Sequence, residues 1–258
     1  MSKFADKLRS LSKSSPTPIG FHPAISEVRG PAMLLIVGLS GTQVKEAKTV
    51  ADVDAALIVS GGPDAKTIRQ LVEAAGKVPL GVFVKGMNER EIDGVVSSGC
   101  DFVVFDTKGG AAILGRKEVG RFLMIEPSLD QGLVRAVNDF DVDGVLLGAP
   151  KDSLMTVEHL LVCRRLVELL EKPVTITLPS LATKEELTSV WQAGVDGVVA
   201  PSGESAETLA ELKRMIGDLP REAKRRRNKA SAMLPHYGGA VGKEEEEEED
   251  EDDDDDDE

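Results

Sequence analysis

The chain has 258 residues, 41% of them hydrophobic and 3% aromatic, with 31 Lys+Arg against 45 Asp+Glu and a formal charge of −14. That composition excludes a collagen, a disulfide-stapled miniprotein and a chain too short to bury its own core. Residues 244–258 are fifteen consecutive acids, and without them 31 basic groups face 30 acidic ones, so the remainder is close to neutral.

Residues 1–30 read as an amino-terminal extension. Phe4, Leu8 and Leu11 recur at helical spacing among Lys3, Lys7, Arg9 and Lys13, which predicts a short amphipathic helix packed as a lid on the main domain. This stretch lacks the continuous apolar core of a secretory signal, and the longest apolar runs, such as Met33 to Leu39, are strand-sized and too short to span a bilayer. Cys100 and Cys163 are single and far apart, which fits reduced thiols and a cytoplasmic setting.

From residue 31 to 217 two kinds of apolar run alternate. One kind is usually entered through a proline: Pro31 to Val37, Pro79 to Val84, Phe122 to Ile125 and Pro173 to Thr177. The other opens on an aspartate, at Asp54, Asp101, Asp143 and Asp196, with spacings of 47, 42 and 53 residues. All eight runs are apolar throughout rather than alternating, as strands buried on both faces are. Helical patterns lie between them. Asp64 is a predicted cap, Asn88 to Glu91 and Thr183 to Glu186 read as capping boxes, and Thr156 to Leu170 is an amphipathic run carrying Leu160, Leu161, Leu166, Val167 and Leu170. Strands alternating with helices in four similar quarters predict an α/β fold, a closed (βα)8 TIM barrel; the rival is an open doubly wound sheet, which needs no fourfold regularity.

Pro173-Val-Thr-Ile-Thr177, then Thr183-Lys-Glu-Glu-Leu187, then Gln192-Ala-Gly-Val-Asp-Gly-Val-Val-Ala200, resembles the last two units of the aldolase-type TIM barrels, including their phosphate-binding and flavin-dependent groups. The resemblance runs from about Pro31 to Ile216 and implies the fold; many chemistries share these units.

In such barrels the ligand site lies where the strands end. Charge there concentrates on three consecutive strands, as Lys85, then Asp106 with Lys108, then Glu126. A lysine facing two carboxylates suits acid/base or Schiff-base chemistry, with Lys85 as base or amine nucleophile and Asp106 and Glu126 as proton carriers or orienting groups. The competing reading is a satisfied ion-pair network at the rim. Two turns offer glycine and backbone amides to an anion: Lys108-Gly109-Gly110, which also carries a cation, and Gly61-Gly62. The glycine pair that phosphate-binding relatives carry after the seventh strand is replaced by Leu178-Pro179-Ser180, and Pro179 has no amide to donate.

Only His22, His159 and His236 are available, none at metal-ligand spacing, so no metal site is expected; His159 is expected on the surface of its helix. G-x-G-x-x-G, G-x-x-x-x-G-K-[ST] and G-x-S-x-G are all absent, and the sequence specifies no cofactor. One Trp and one Tyr leave few platforms for stacking bases, so nucleic acid is not expected as a ligand of the barrel.

Residues 218–243 form a basic segment and linker, with six bases between Arg221 and Lys229, and 244–258 form a polyacidic tail expected to be disordered. The tail reads as a solubility device, as a mask over Arg225 to Arg227, or as a recruiter of a basic protein partner. The leading functional expectation is a barrel binding a small anionic or carbonyl metabolite, with lyase or isomerase chemistry. The alternatives are a degenerate barrel acting as an interaction protein through its tail, and a flavin-dependent oxidoreductase.

Overall fold

The computed structural model describes residues 2–13, 31–41, 44, 47, 50, 52–60, 62–87, 89–149 and 154–220. Gly61, Asn88, His22, His236 and the segment 221–258, with its basic patch and acidic tail, lie outside the described residues.

Eight parallel strands close into a barrel in sequence order: β1 (Leu34–Leu39), β2 (Ala55–Ile58), β3 (Leu80–Phe83), β4 (Phe102–Asp106), β5 (Gly120–Ile125), β6 (Gly144–Leu147), β7 (Val174–Thr177) and β8 (Gly197–Ala200). Closure is made by β1 on β8, from Leu34 opposite Gly197 to Val37 opposite Ala200. The chain is therefore a TIM barrel, and the open sheet is excluded. The helices are α1 (Lys3–Lys13), α2 (Ala65–Ala75), α3 (Glu89–Val96), α4 (Gln131–Ala136), α5 (Val157–Leu169), α6 (Lys184–Gln192) and α7 (Ala206–Gly217).

From β2 to β8, among the described residues, the alternation of strand and helix breaks once. After β4 comes a five-residue 3-10 turn, Ala111–Gly115, instead of an α-helix. The segment to β5 is short and holds Gly109, Gly110 and Gly115, each of which weakens a helix by roughly 1 kcal/mol relative to alanine. Elsewhere, among the described residues, side chains cap the helices, while the box predicted at Asn88 lies outside them. Asp64 accepts from the Thr67 amide, Thr156 from the His159 amide, and Thr183 and Glu186 close a reciprocal capping box. In α5 the buried stripe is His159, Cys163 and Leu166, whereas Leu161 is 65% exposed. His159 is therefore not the surface residue that its helix suggested.

The repeated aspartates explain the regularity of the quarters. Each stands just before an even strand, at the amino-terminal end of the barrel. Asp54 accepts from the Leu35 amide, Asp143 from Arg121 and Asp196 from Val174, each at 2.9 Å, while its own amide donates back to the same residue's carbonyl. This reciprocal pair ties β2, β6 and β8 each to the preceding odd strand. Asp101 departs from the pattern: its carboxylate accepts from Ser2 Oγ and from the Lys3 and Phe4 amides at 2.7, 2.8 and 3.0 Å. It thereby holds the start of α1.

α1 closes that end of the barrel. Phe4, Ala5 and Leu8 are buried against Leu34, Leu57, Phe102 and Phe122. The Phe4 ring lies 4.6 Å from Phe102 and 5.1 Å from Phe122, centroid to centroid. Glycines on the inner face make the space: a Cβ on Gly81 would come within 2.1 Å of the Phe102 ring, and one on Gly144 within 2.8 Å of Phe122. About 10 Å³ is left unfilled in this layer, so the barrel interior is core and no ligand fits within it. Charge closes the rim, as Arg9 pairs with Asp143, Lys213 with Asp54, and Lys7 donates to the Asp54 carbonyl at 3.0 Å. Nearby, the hydrogen-bonded Arg121 guanidinium holds the Asp141 carboxyl below its usual range. Cys100 and Cys163 are free and buried, and burial pushes both thiols up to about 12.

Candidate active site at the carboxyl-terminal mouth

Side chains alternate along a strand, so the inward-facing residues of the core extend by twos into the mouth. Phe83 in β3, Val104 in β4 and Met124 in β5 pack into the inner cluster. Two residues further on stand Lys85, Asp106 and Glu126. Phe83 pairs with Val104 and Asp106 with Met124, which puts Lys85 level with Asp106 and Glu126 one inward position higher.

These three side chains line one cleft of about 320 Å³, together with Thr107, Lys108, Ser128 and Asp130. Lys85 and Glu126 are exposed and Asp106 is half-buried. Among the described residues no ion pair joins Lys85 to Asp106 or to Glu126. Among the described residues these three side chains therefore do not close a salt-bridge network with one another, and they line the same open space.

Asp106 is the most firmly placed of the three. Its Oδ1 accepts from the Lys108 amide at 3.0 Å, and its carbonyl accepts from the Gly109 amide at 3.0 Å, which folds the turn after β4 back on itself. Those two amides are consequently engaged within the turn, and what Lys108 offers the cleft is its ammonium group. Gly110 caps the short 3-10 turn. Gly62 lies exposed before α2 with φ of 46°, outside the cleft lining. At the seventh strand the Leu178 amide is bonded to the Val199 carbonyl and Pro179 follows, so this turn keeps the amide-poor character read from the sequence.

Two contributors, Asp130 and His159, lie beyond the reach of counting strand ends. Asp130 lines the cleft and caps α4, accepting from the Gly132 amide at 2.8 Å. A larger adjoining lobe of about 530 Å³ shares Met124, Glu126 and Ser128 with the cleft and reaches Thr156, Glu158 and His159 at the start of α5. Helices of this barrel start on the mouth side, so first-turn residues belong to the same end as the strand termini. That positional signal, joined to the His159, Cys163, Leu166 periodicity, could have placed His159 here. Arg165 of the same helix donates to the Pro127 carbonyl at 2.8 Å and so pins the loop that carries Glu126 and Ser128. No group of three or more metal-ligating side chains occurs among the described residues. No described helix is long and apolar enough to cross a membrane.

Similar architecture is found in solved enzymes. A mutant tryptophan synthase alpha-subunit from Pyrococcus furiosus superposes with a TM-score of 0.55 at 13% identity, over 73% of this chain and 98% of that one. N-(5'-phosphoribosyl)anthranilate isomerase from the same organism gives 0.55 at 16% identity, over 71% and 98%. The 3-dehydroquinate dehydratase of Geobacillus kaustophilus gives 0.55 at 15% identity, over 73% and 91%. At these identities the likeness establishes the (βα)8 barrel fold and nothing finer. No protein-family model and no curated protein sequence matches the chain.

Proposed function

We propose that the mouth binds a small metabolite bearing a carbonyl or carboxylate group and moves a proton on it, as an isomerase or lyase does. One observation carries this reading: Lys85, Asp106 and Glu126, from three adjacent strands, meet in one cleft without pairing with one another. Lysine serves as an amine nucleophile where its surroundings are desolvated, and Lys85 is exposed. The geometry therefore favours Lys85 as hydrogen-bond donor to the ligand oxygen, where it stabilises negative charge that develops as the adjacent C–H bond breaks. Lys108 adds a second cation for an anionic substituent. Asp106, held by the Lys108 amide, orients the ligand, and Glu126, exposed at the cleft, carries the proton.

The test is proton exchange. The full-length protein in D2O is incubated with a panel of 2-oxo acids and hydroxy ketones, and loss of the proton next to the carbonyl is followed by NMR. At least one compound is expected to exchange faster than in buffer, with Glu126→Gln slowing it by about 10²-fold or more and Lys85→Met abolishing binding. Exchange at the buffer rate for every compound, or exchange untouched by both substitutions, contradicts the proposal.

A further inference from the structure

Beside the charged cleft, His159 presents a buried polar group that the proposed chemistry does not use. It is 4% exposed, lines the adjoining 530 Å³ lobe, and its Nε2 meets no hydrogen-bond partner among the described residues. An unmatched buried ring nitrogen is costly, and it is tolerated where a ligand or water completes it. Burial also holds the imidazole below its usual range, so the ring is a neutral donor and acceptor. Among the described residues the charged ones of the lobe lining are Glu126 and Glu158. Two carboxylates beside a neutral ring suit hydroxyl groups, which can donate to the carboxylates and exchange a hydrogen bond with the ring. The volume lies within the range of small-molecule sites, and the two lobes adjoin at Met124, Glu126 and Ser128, which line both.

We infer that the ligand is a hydroxylated acid whose carboxylate or carbonyl end lies at Lys85 and whose hydroxyl-bearing carbon chain passes Glu126 into the lobe of Thr156, Glu158 and His159. The inference rests on the reading of the mouth given above and adds the chemical class of the ligand's second half.

Three six-carbon acids test it by calorimetric titration of the full-length protein: D-gluconate, hexanoate, which lacks the hydroxyls, and 6-phospho-D-gluconate, which puts an anion in the tail. Gluconate is expected to bind about tenfold or more tightly than hexanoate, and more tightly than the phosphorylated acid. His159→Gln should narrow the first difference, while Glu158→Gln, a change at an exposed position, should weaken gluconate and strengthen 6-phosphogluconate. In the wild-type protein the His159 side-chain nitrogen resonances should shift with gluconate and not with hexanoate, a readout that needs no variant. Lys85→Met should weaken gluconate and hexanoate alike. Equal binding of these two acids, both dependent on Lys85, overturns the inference and leaves the proposed function standing. Preference for the phosphorylated tail overturns it as well, and binding of none of the three overturns both.

Discussion

The two ends of this barrel treat charge in opposite ways. At the amino-terminal end Asp54, Asp101, Asp143 and Asp196 all accept backbone N–H groups, and Arg9, Lys7 and Lys213 close over them. At the mouth Lys85 and Glu126 stand exposed around an open cleft, and the His159 Nε2 meets no partner among the described residues. Polar groups whose bonding is complete stabilise the fold and have nothing left for a ligand. Polar groups gathered without completing one another are available for one. The difference is the ground on which the proposed function is placed at the mouth.

Substitutions that respect this division should separate cleanly. The largest effect is expected from Phe4→Ala, which removes the aromatic contact with Phe102 and Phe122 and opens the sealed end; denaturant unfolding should show a loss of about 3–5 kcal/mol. A loss below about 1 kcal/mol would mean that α1 is an ornament of the barrel. Next, Asp196→Ala leaves the buried Val174 amide without its acceptor and should cost about 1–3 kcal/mol, with Asp196→Asn recovering part of it.

A smaller, pH-dependent effect is expected at His159. Because burial depresses its folded value below the usual 6.5, the unfolded chain takes up the proton first as the pH falls. Its contribution is therefore complete above about pH 6.5 and declines as acidity increases toward the lower folded value. Urea midpoints of the wild type should fall between neutral and mildly acidic pH by more than those of His159→Gln. The smallest effect on stability belongs to the mouth: Lys85→Met, Asp106→Asn and Glu126→Gln should each lie within about 0.5 kcal/mol of the wild type while impairing ligand binding. A loss of several kcal/mol on Lys85→Met would turn the cluster into a structural element and remove the contrast between the rims.

The fold was legible because burial writes directly into sequence: strands covered on both faces are apolar throughout, and one aspartate per quarter recurs where it ties adjacent strands. What that aspartate does was not legible, since its acceptor role depends on the register between strands distant in sequence. The departure after β4 could have been read from Gly109, Gly110 and Gly115, which leave too little helix-forming chain before β5. At the site, Lys85, Asp106 and Glu126 followed from counting strand ends, and the structure adds that they share a cleft. The engagement of the Lys108 and Gly109 amides by Asp106 was hidden, because it is a matter of turn geometry. His159 was missed because a helix position was judged by its own helix, without the loop that faces it.

The proposal that a small acid binds at the mouth is tested most directly by backbone and side-chain NMR of the full-length protein, titrated with pyruvate as the simplest carbonyl acid. Shifts concentrated at Lys85, at 106–108 and at 126–128 are expected, and their loss in Lys85→Met should follow. Shifts confined to the amino-terminal rim or to residues 221–258, or none at all, would contradict it.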